Sequence, residues 1–156
     1  MADIRTAQTA SLEAITTDWL VASGGALDDG EELATAFRIA LLTDRQALPD
    51  DTLPSDSDDR RGWWADMDAE ALWNGWPIGS RLWLLSRASI TADTVTRAEQ
   101  YCREALDPFV KRRIVSRVDV ALERVGISAI GGIITAWRGP RRAVDLRFET
   151  LWSEIG

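Results

Sequence analysis

Residues Thr91–Glu123 read TADTVTRAEQYCREALDPFVKRRIVSRVDVALE, and the apolar spacing changes character partway through. Val95, Ala98, Cys102, Ala105, Leu106 and Phe109 fall on one helical stripe, while Arg97, Glu99, Arg103 and Glu104 face away from it. A helix over Thr91–Leu106 is predicted. Thr91 suits its N-cap, and Asp93 sits in the first turn, where the helix dipole favours a negative charge. Asp107-Pro108 has the form of a second N-cap and first helical position, so the chain is expected to restart there as a short turn into Lys111. From Ile114 the period becomes two. Ile114, Ser116, Val118, Val120 and Leu122 alternate with Val115, Arg117, Asp119, Ala121 and Glu123, the pattern of a half-buried strand.

Toward the C-terminus, Gly126 marks a break and Gly132–Arg138 reads as a second strand. Gly139-Pro140-Arg141-Arg142 reads as a turn and Ala143–Trp152 as a third strand, with Val144, Leu146 and Phe148 on one face. A sheet with one polar face needs cover on the other, and the Thr91–Leu106 stripe matches it. Toward the N-terminus, Glu31–Leu42 reads as a helix through Leu33, Phe37, Ala40 and Leu41, although Phe37–Leu42 alone also fits a buried strand. Ala69–Asn74 reads as a short helix stopped by Gly75 and Pro77, Gly79–Ser86 as another, and Thr17–Ala22 as a strand. The expected fold class is α+β: a small antiparallel C-terminal sheet of about three strands plus an N-terminal strand, packed against two to four helices. A length of 156 residues fits a single domain over 1–156, with residues 1–30 as an extended arm.

The composition removes several function classes. Net charge is −7, which argues against a nucleic-acid partner, because such binding relies on cations neutralising phosphates. No apolar run approaches the roughly 20 residues that cross a bilayer, and the N-terminus has no apolar signal core, so no membrane partner is expected and the chain starts in the cytoplasm. There is no histidine, which takes away the usual general base and the commonest metal ligand. The lone Cys102 lies on the helical stripe and reads as a packed core thiol. Among the 18 basic residues only Lys111 is a lysine. Arginine suits planar interface ion pairs, though a GC-rich genome gives the same bias. No nucleotide-binding glycine motif occurs. Thr43–Asp59 is an acidic loop with Pro49 and Pro54. Asp56 and Asp58 begin like a calcium loop, but Arg60 takes the third ligand place and Met67 the twelfth, so that reading fails. No cofactor, metal or small-molecule substrate is expected.

What stands out is Asp59–Arg87, DRRGWWADMDAEALWNGWPIGSRLWLLSR, which holds Trp63, Trp64, Trp73, Trp76 and Trp83 of the eight tryptophans in the chain. Tryptophan joins a large apolar area to an N–H that needs a partner, and with arginine it is enriched at protein–protein hot spots. Arg60, Arg61, Trp63, Trp64, Trp76, Arg81 and Trp83 are the expected interaction residues. A tryptophan-rich core explains part of the same stretch, and the two readings coexist.

Three strings carry a family resemblance: Leu42-Thr43-Asp44-Arg45, Asp58-Asp59-Arg60-Arg61-Gly62-Trp63-Trp64 and Ile78-Gly79-Ser80-Arg81-Leu82-Trp83-Leu84-Leu85, followed by Ala105-Leu106 and Leu151-Trp152. The sequence resembles the Mu-like phage tail and baseplate proteins, relatives of the lysozyme-like baseplate wedge proteins of larger contractile-tail phages. The resemblance implies a virion structural protein of the baseplate wedge, assembled in the host cytoplasm, with other wedge subunits and tail tube and sheath proteins as partners. The larger-phage relatives carry Glu-Pro-Arg after their helix; here Asp107-Pro108-Phe109 stands instead, so no role passes to an arginine there. The competing readings are a peptidoglycan-cleaving glycosidase, for which Asp66, Asp68 and Glu70 are the candidate carboxylates, and a host-cytoplasm adaptor.

Overall fold

The helix that the apolar stripe predicts forms as one uninterrupted element. The computed structural model describes residues 6–10, 15–19, 32–55, 58–69, 71, 74–127 and 129–153. Its first long helix, α1, spans Glu32–Leu42, and the second, α2, spans Ala92–Lys111. Thr91 stands in extended conformation ahead of α2 and accepts the Thr94 N–H at 3.2 Å. The stripe turns inward, with Ala98, Tyr101, Cys102, Ala105, Leu106 and Phe109 all buried. The restart expected at Asp107-Pro108 does not occur, and Pro108 lies inside the helix. Proline removes a single backbone bond, the one that would reach Glu104, and it does so only three residues from the helix end. Arg112 N–H closes the last turn on the Pro108 carbonyl at 2.9 Å, and Lys111 pairs with Asp107 at 2.5 Å.

The sheet follows in the order β3-β4-β5, from β3 (Arg117–Val125), β4 (Ala129–Arg138) and β5 (Arg141–Ser153), antiparallel throughout. Val120 pairs with Ile134, which pairs with Leu146, so the three inward residues lie side by side. Arg138 pairs with Arg141, so the turn is confined to Gly139-Pro140 and the two arginines expected in it belong to β5. The first strand begins at Arg117, later than expected. Ile114 and Val115 are instead tied back to the helix, both N–H groups meeting the Phe109 carbonyl.

Helix α2 also covers the outer edge of β3. Glu99 accepts the Leu122 N–H at 3.0 Å, and Arg103 donates to the Val120 carbonyl at 3.1 Å while pairing with Glu99 at 2.9 Å. One ion pair on the helix thus satisfies a donor and an acceptor that an edge strand leaves open.

Between helices and sheet lies the core, where Phe37, Leu41, Leu85, Leu106, Ile130 and Ile134 are among the most buried side chains. Phe109 is its hinge point, 4.7 Å from the Phe37 ring and 4.9 Å from an edge-on Trp76. Cys102 is fully buried beside them, and burial pushes its thiol up to about 12. A thiol-reactive dye should therefore fail to label native protein at neutral pH and label it stoichiometrically in denaturant; rapid native labelling would show that α2 opens locally.

Further toward the N-terminus, β1 (Thr6–Ala10) and β2 (Ile15–Trp19) pair antiparallel. The strand expected over Thr17–Ala22 thus starts two residues earlier and has a partner; residues 20–22 lie outside the described residues. The helix expected over Gly79–Ser86 shrinks to a 3-10 turn at Leu82–Leu85. Its first residues are held in a different way, which builds the site.

Candidate assembly interface

Three stretches distant in sequence are stitched into one unit. Ser80 N–H donates to the Thr43 carbonyl at 2.9 Å, and Arg45 N–H to the Ser80 carbonyl at 2.9 Å, forming a short parallel bridge opposite Asp44. The Ser80 hydroxyl donates to the Leu41 carbonyl at 2.6 Å. Chains approach this closely because residue 79 is glycine: its φ is 108°, and a Cβ there would stand 2.5 Å from the Thr43 carbonyl oxygen. Trp83 donates its indole N–H to the Arg45 carbonyl at 2.8 Å, the partner a buried tryptophan needs. Over its ring, at 4.6 Å, lies the Arg61 guanidinium, which also pairs with Asp44 at 2.5 Å. Arg60 fastens the other side, its carbonyl accepting the Ala47 N–H at 3.0 Å and its guanidinium donating to the Leu48 and Pro49 carbonyls at 2.5 and 3.2 Å.

Beneath this unit Arg81 is buried. It donates to both carboxylate oxygens of Asp51 at 2.8 Å, reaches Glu104 on α2 with its other terminal nitrogen, and stacks 4.8 Å over Tyr101. Burial by itself disfavours both charged forms. For Asp51, hydrogen bonds from Arg81 and from the Leu48 N–H outweigh that cost and hold the carboxyl below its usual value. For Arg81, the bonds to Glu104 and Asp51 likewise raise an already high pKa. The acidic loop is exposed at Asp50, Asp58 and Asp59 but anchored at Asp51.

The expected interaction residues therefore divide. Arg81 and Trp83 are buried, Trp63, Trp76 and Arg60 are half-buried, and Arg61 is exposed while covering Trp83. Trp64 stands out, 76% exposed, with its ring 5.8 Å from Trp63. It opens a 3-10 turn over Trp64–Asp68 that brings Met67, 85% exposed, one turn later. Asp66 fixes this turn by accepting the Ile78 N–H at 3.1 Å. Trp73 and Glu70 lie outside the described residues. Sequence reasoning missed Met67, whose spacing of three from Trp64 was the available signal. It also missed Asp51, Glu104 and Asp44, which carry no local signal because their arginines are remote in sequence. Trp137 was missed too; it lies across the exposed sheet face between Arg117 and Arg142, at 4.7 and 5.4 Å, and donates to Asp119 at 2.7 Å.

No group of three or more His, Cys, Asp or Glu among the described residues is placed to hold a metal ion, and no helix among them is long and apolar enough to cross a membrane. What the fold offers is a hydrogen-bonded unit that presents Trp64 and Met67 outward. The sequence strings that build this unit all lie within the stretch that a family model matches. The chain belongs to the family described as phage protein GP46, which matches residues 33–142, from α1 to the first residues of β5. It is 44% identical over 113 residues to the baseplate protein gp46 of Escherichia phage Mu, a match covering 69% of this chain and 74% of that protein. With the Mu-like prophage FluMu protein gp46 of Haemophilus influenzae it shares 30% identity over 104 residues, 67% of this chain and 65% of the other. No solved structure matches it.

Proposed function

We propose that this chain is a structural component of a phage-type contractile-tail baseplate, acting by protein–protein assembly in the wedge near the start of tube and sheath. Its partners in this reading are other wedge subunits and tube or sheath proteins, and it is a virion protein rather than an enzyme. The observation that carries the reading is the Trp64–Met67 ridge. Two large apolar side chains are held in solvent on a stitched scaffold, inside the region that matches the family model. Isolated exposed apolar residues need no explanation, but an aromatic one fixed by a committed backbone is what hot spots are made of.

The test is Trp64→Ala, assayed for melting and for co-purification with assembled tails. Because the indole is mostly in water, stability should change by no more than about 0.5 kcal/mol. Assembly should weaken by about 2 kcal/mol or more, about thirtyfold in affinity. A variant that unfolds, or one that assembles as wild type does, would remove Trp64 from the interface.

A further inference from the structure

We infer that the end of the molecule where α2 stops and the β4–β5 turn closes is a second docking surface, one that takes an acidic, partly apolar segment of another protein. Lys111, Arg112 and Arg113 follow one another at the helix end, and Arg138, Arg141 and Arg142 flank the turn. Neither 110–117 nor 138–142 contains an aspartate or glutamate, in a chain whose net charge is −7. Positive charge is thus concentrated against the overall balance, at one end.

Part of this cluster has a plain structural use. Cations favour the helix C-terminus. Lys111 pairs with Asp107, Arg112 lies 4.6 Å over Trp76, Arg138 donates to the Ile114 carbonyl at 3.0 Å, and Arg142 pairs with Asp145 at 3.0 Å. Arg113 and Arg141 are different. Both are exposed, and neither side chain makes a hydrogen bond, an ion pair or a ring contact among the described residues. Arg113 even sits in the left-handed region, at φ 59°, past the end of α2.

Between the two basic loops runs an open groove, lined by Val110, Ile114 and Val115 along its floor and by Arg113 and Arg138 at its sides. Its walls are fixed to each other. Ser116 N–H donates to the Trp137 carbonyl at 2.7 Å, and the Ser116 hydroxyl accepts the Gly139 N–H at 3.0 Å. A preorganised apolar floor with cationic sides fits a segment in which carboxylates alternate with aliphatic side chains. Nucleic acid fits less well, because the rest of the chain is acidic and would repel a long polyanion.

The probe is a fluorescein-labelled peptide of alternating leucine and aspartate, titrated against the full chain by anisotropy. Controls are the same peptide with asparagine for aspartate, an oligothymidylate of equal length, and the variant R113N/R141E. Asparagine is chosen at 113 because it tolerates a positive φ. Saturable binding is expected that weakens about tenfold in the variant, with an unchanged melting temperature, and falls as salt shortens the screening length. Equal binding to the variant, equal binding of the asparagine peptide, tighter binding of the oligothymidylate, or no binding would each overturn the inference.

Discussion

Arg81→Met unfolds at markedly lower denaturant than wild type, with an expected loss of about 3–5 kcal/mol, the range for removing one partner of a buried ion pair. The side chain is 9% exposed, so its charge is enclosed by Asp51, Glu104 and the Tyr101 ring rather than by water. Methionine fills the space but leaves two carboxylates with lost partners, one of them nearly as buried as the arginine. Adding Asp51→Asn and Glu104→Gln to the variant should recover much of the loss, because the cost lies in stranded charge more than in lost attraction. The pH dependence has a definite sign. Asp51 is held below its usual value in the folded protein, so its stabilising contribution is complete above the unfolded value of about 4 and is lost as pH falls through the folded one. Without Arg81 that depression disappears. The gap between variant and wild type is therefore widest near neutrality and narrows in acid; a gap constant with pH would contradict the ion-pair account.

A second large effect is expected at Gly79. In Gly79→Ala the added methyl would lie 2.5 Å from the Thr43 carbonyl oxygen and 2.9 Å from the Arg45 nitrogen, both backbone atoms that cannot swing aside. The bridge to Ser80 must open or the backbone must strain, at a cost of about 3 kcal/mol. Gly139→Ala is the matched control. Its φ is also positive, 60°, but a Cβ there meets nothing within 4 Å, so only the conformational cost of about 1 kcal/mol remains. Equal losses in the two variants would mean that close approach at 79 is unimportant. Trp83 gives a local readout, since opening the bridge should free its indole from the Arg45 carbonyl and shift its emission to the red.

Much of the architecture was legible because it depends on spacing. The apolar stripe of α2 and the alternation at Val118–Leu122 and Val144–Phe148 are local patterns, and each chose its face correctly. Local signals failed where a neighbour decided the outcome. Pro108 looked like a helix start, but a proline near the end of a packed helix costs only one bond, and Phe109 beyond it is held by Phe37 and Trp76. Gly79–Ser86 looked helical by composition, yet Ser80 is claimed by Thr43 and Arg45. For the site, the three strings are segments that hydrogen bonds and an ion pair join together, while their burial was invisible. Nothing near Arg81 in the chain announces Asp51 or Glu104, 30 and 23 positions away. Nor does a pair such as Trp63-Trp64 say which ring faces water.

The stitching of Thr43–Arg45 to Ser80 has a consequence for how such chains can vary in length. Each stitch fixes a few backbone atoms and leaves intervening residues, such as 52–55, outside any helix or strand. Closing a loop of twice the length costs only about 0.6 kcal/mol more. Insertions and deletions between the stitched strings are therefore cheap, whereas a single residue added within Thr43–Arg45 or Gly79–Arg81 would shift the bridge out of register and point Arg81 away from its carboxylates. Related chains of this construction can differ widely in spacing while keeping the strings themselves intact, and an engineered tag or reporter belongs in the loops.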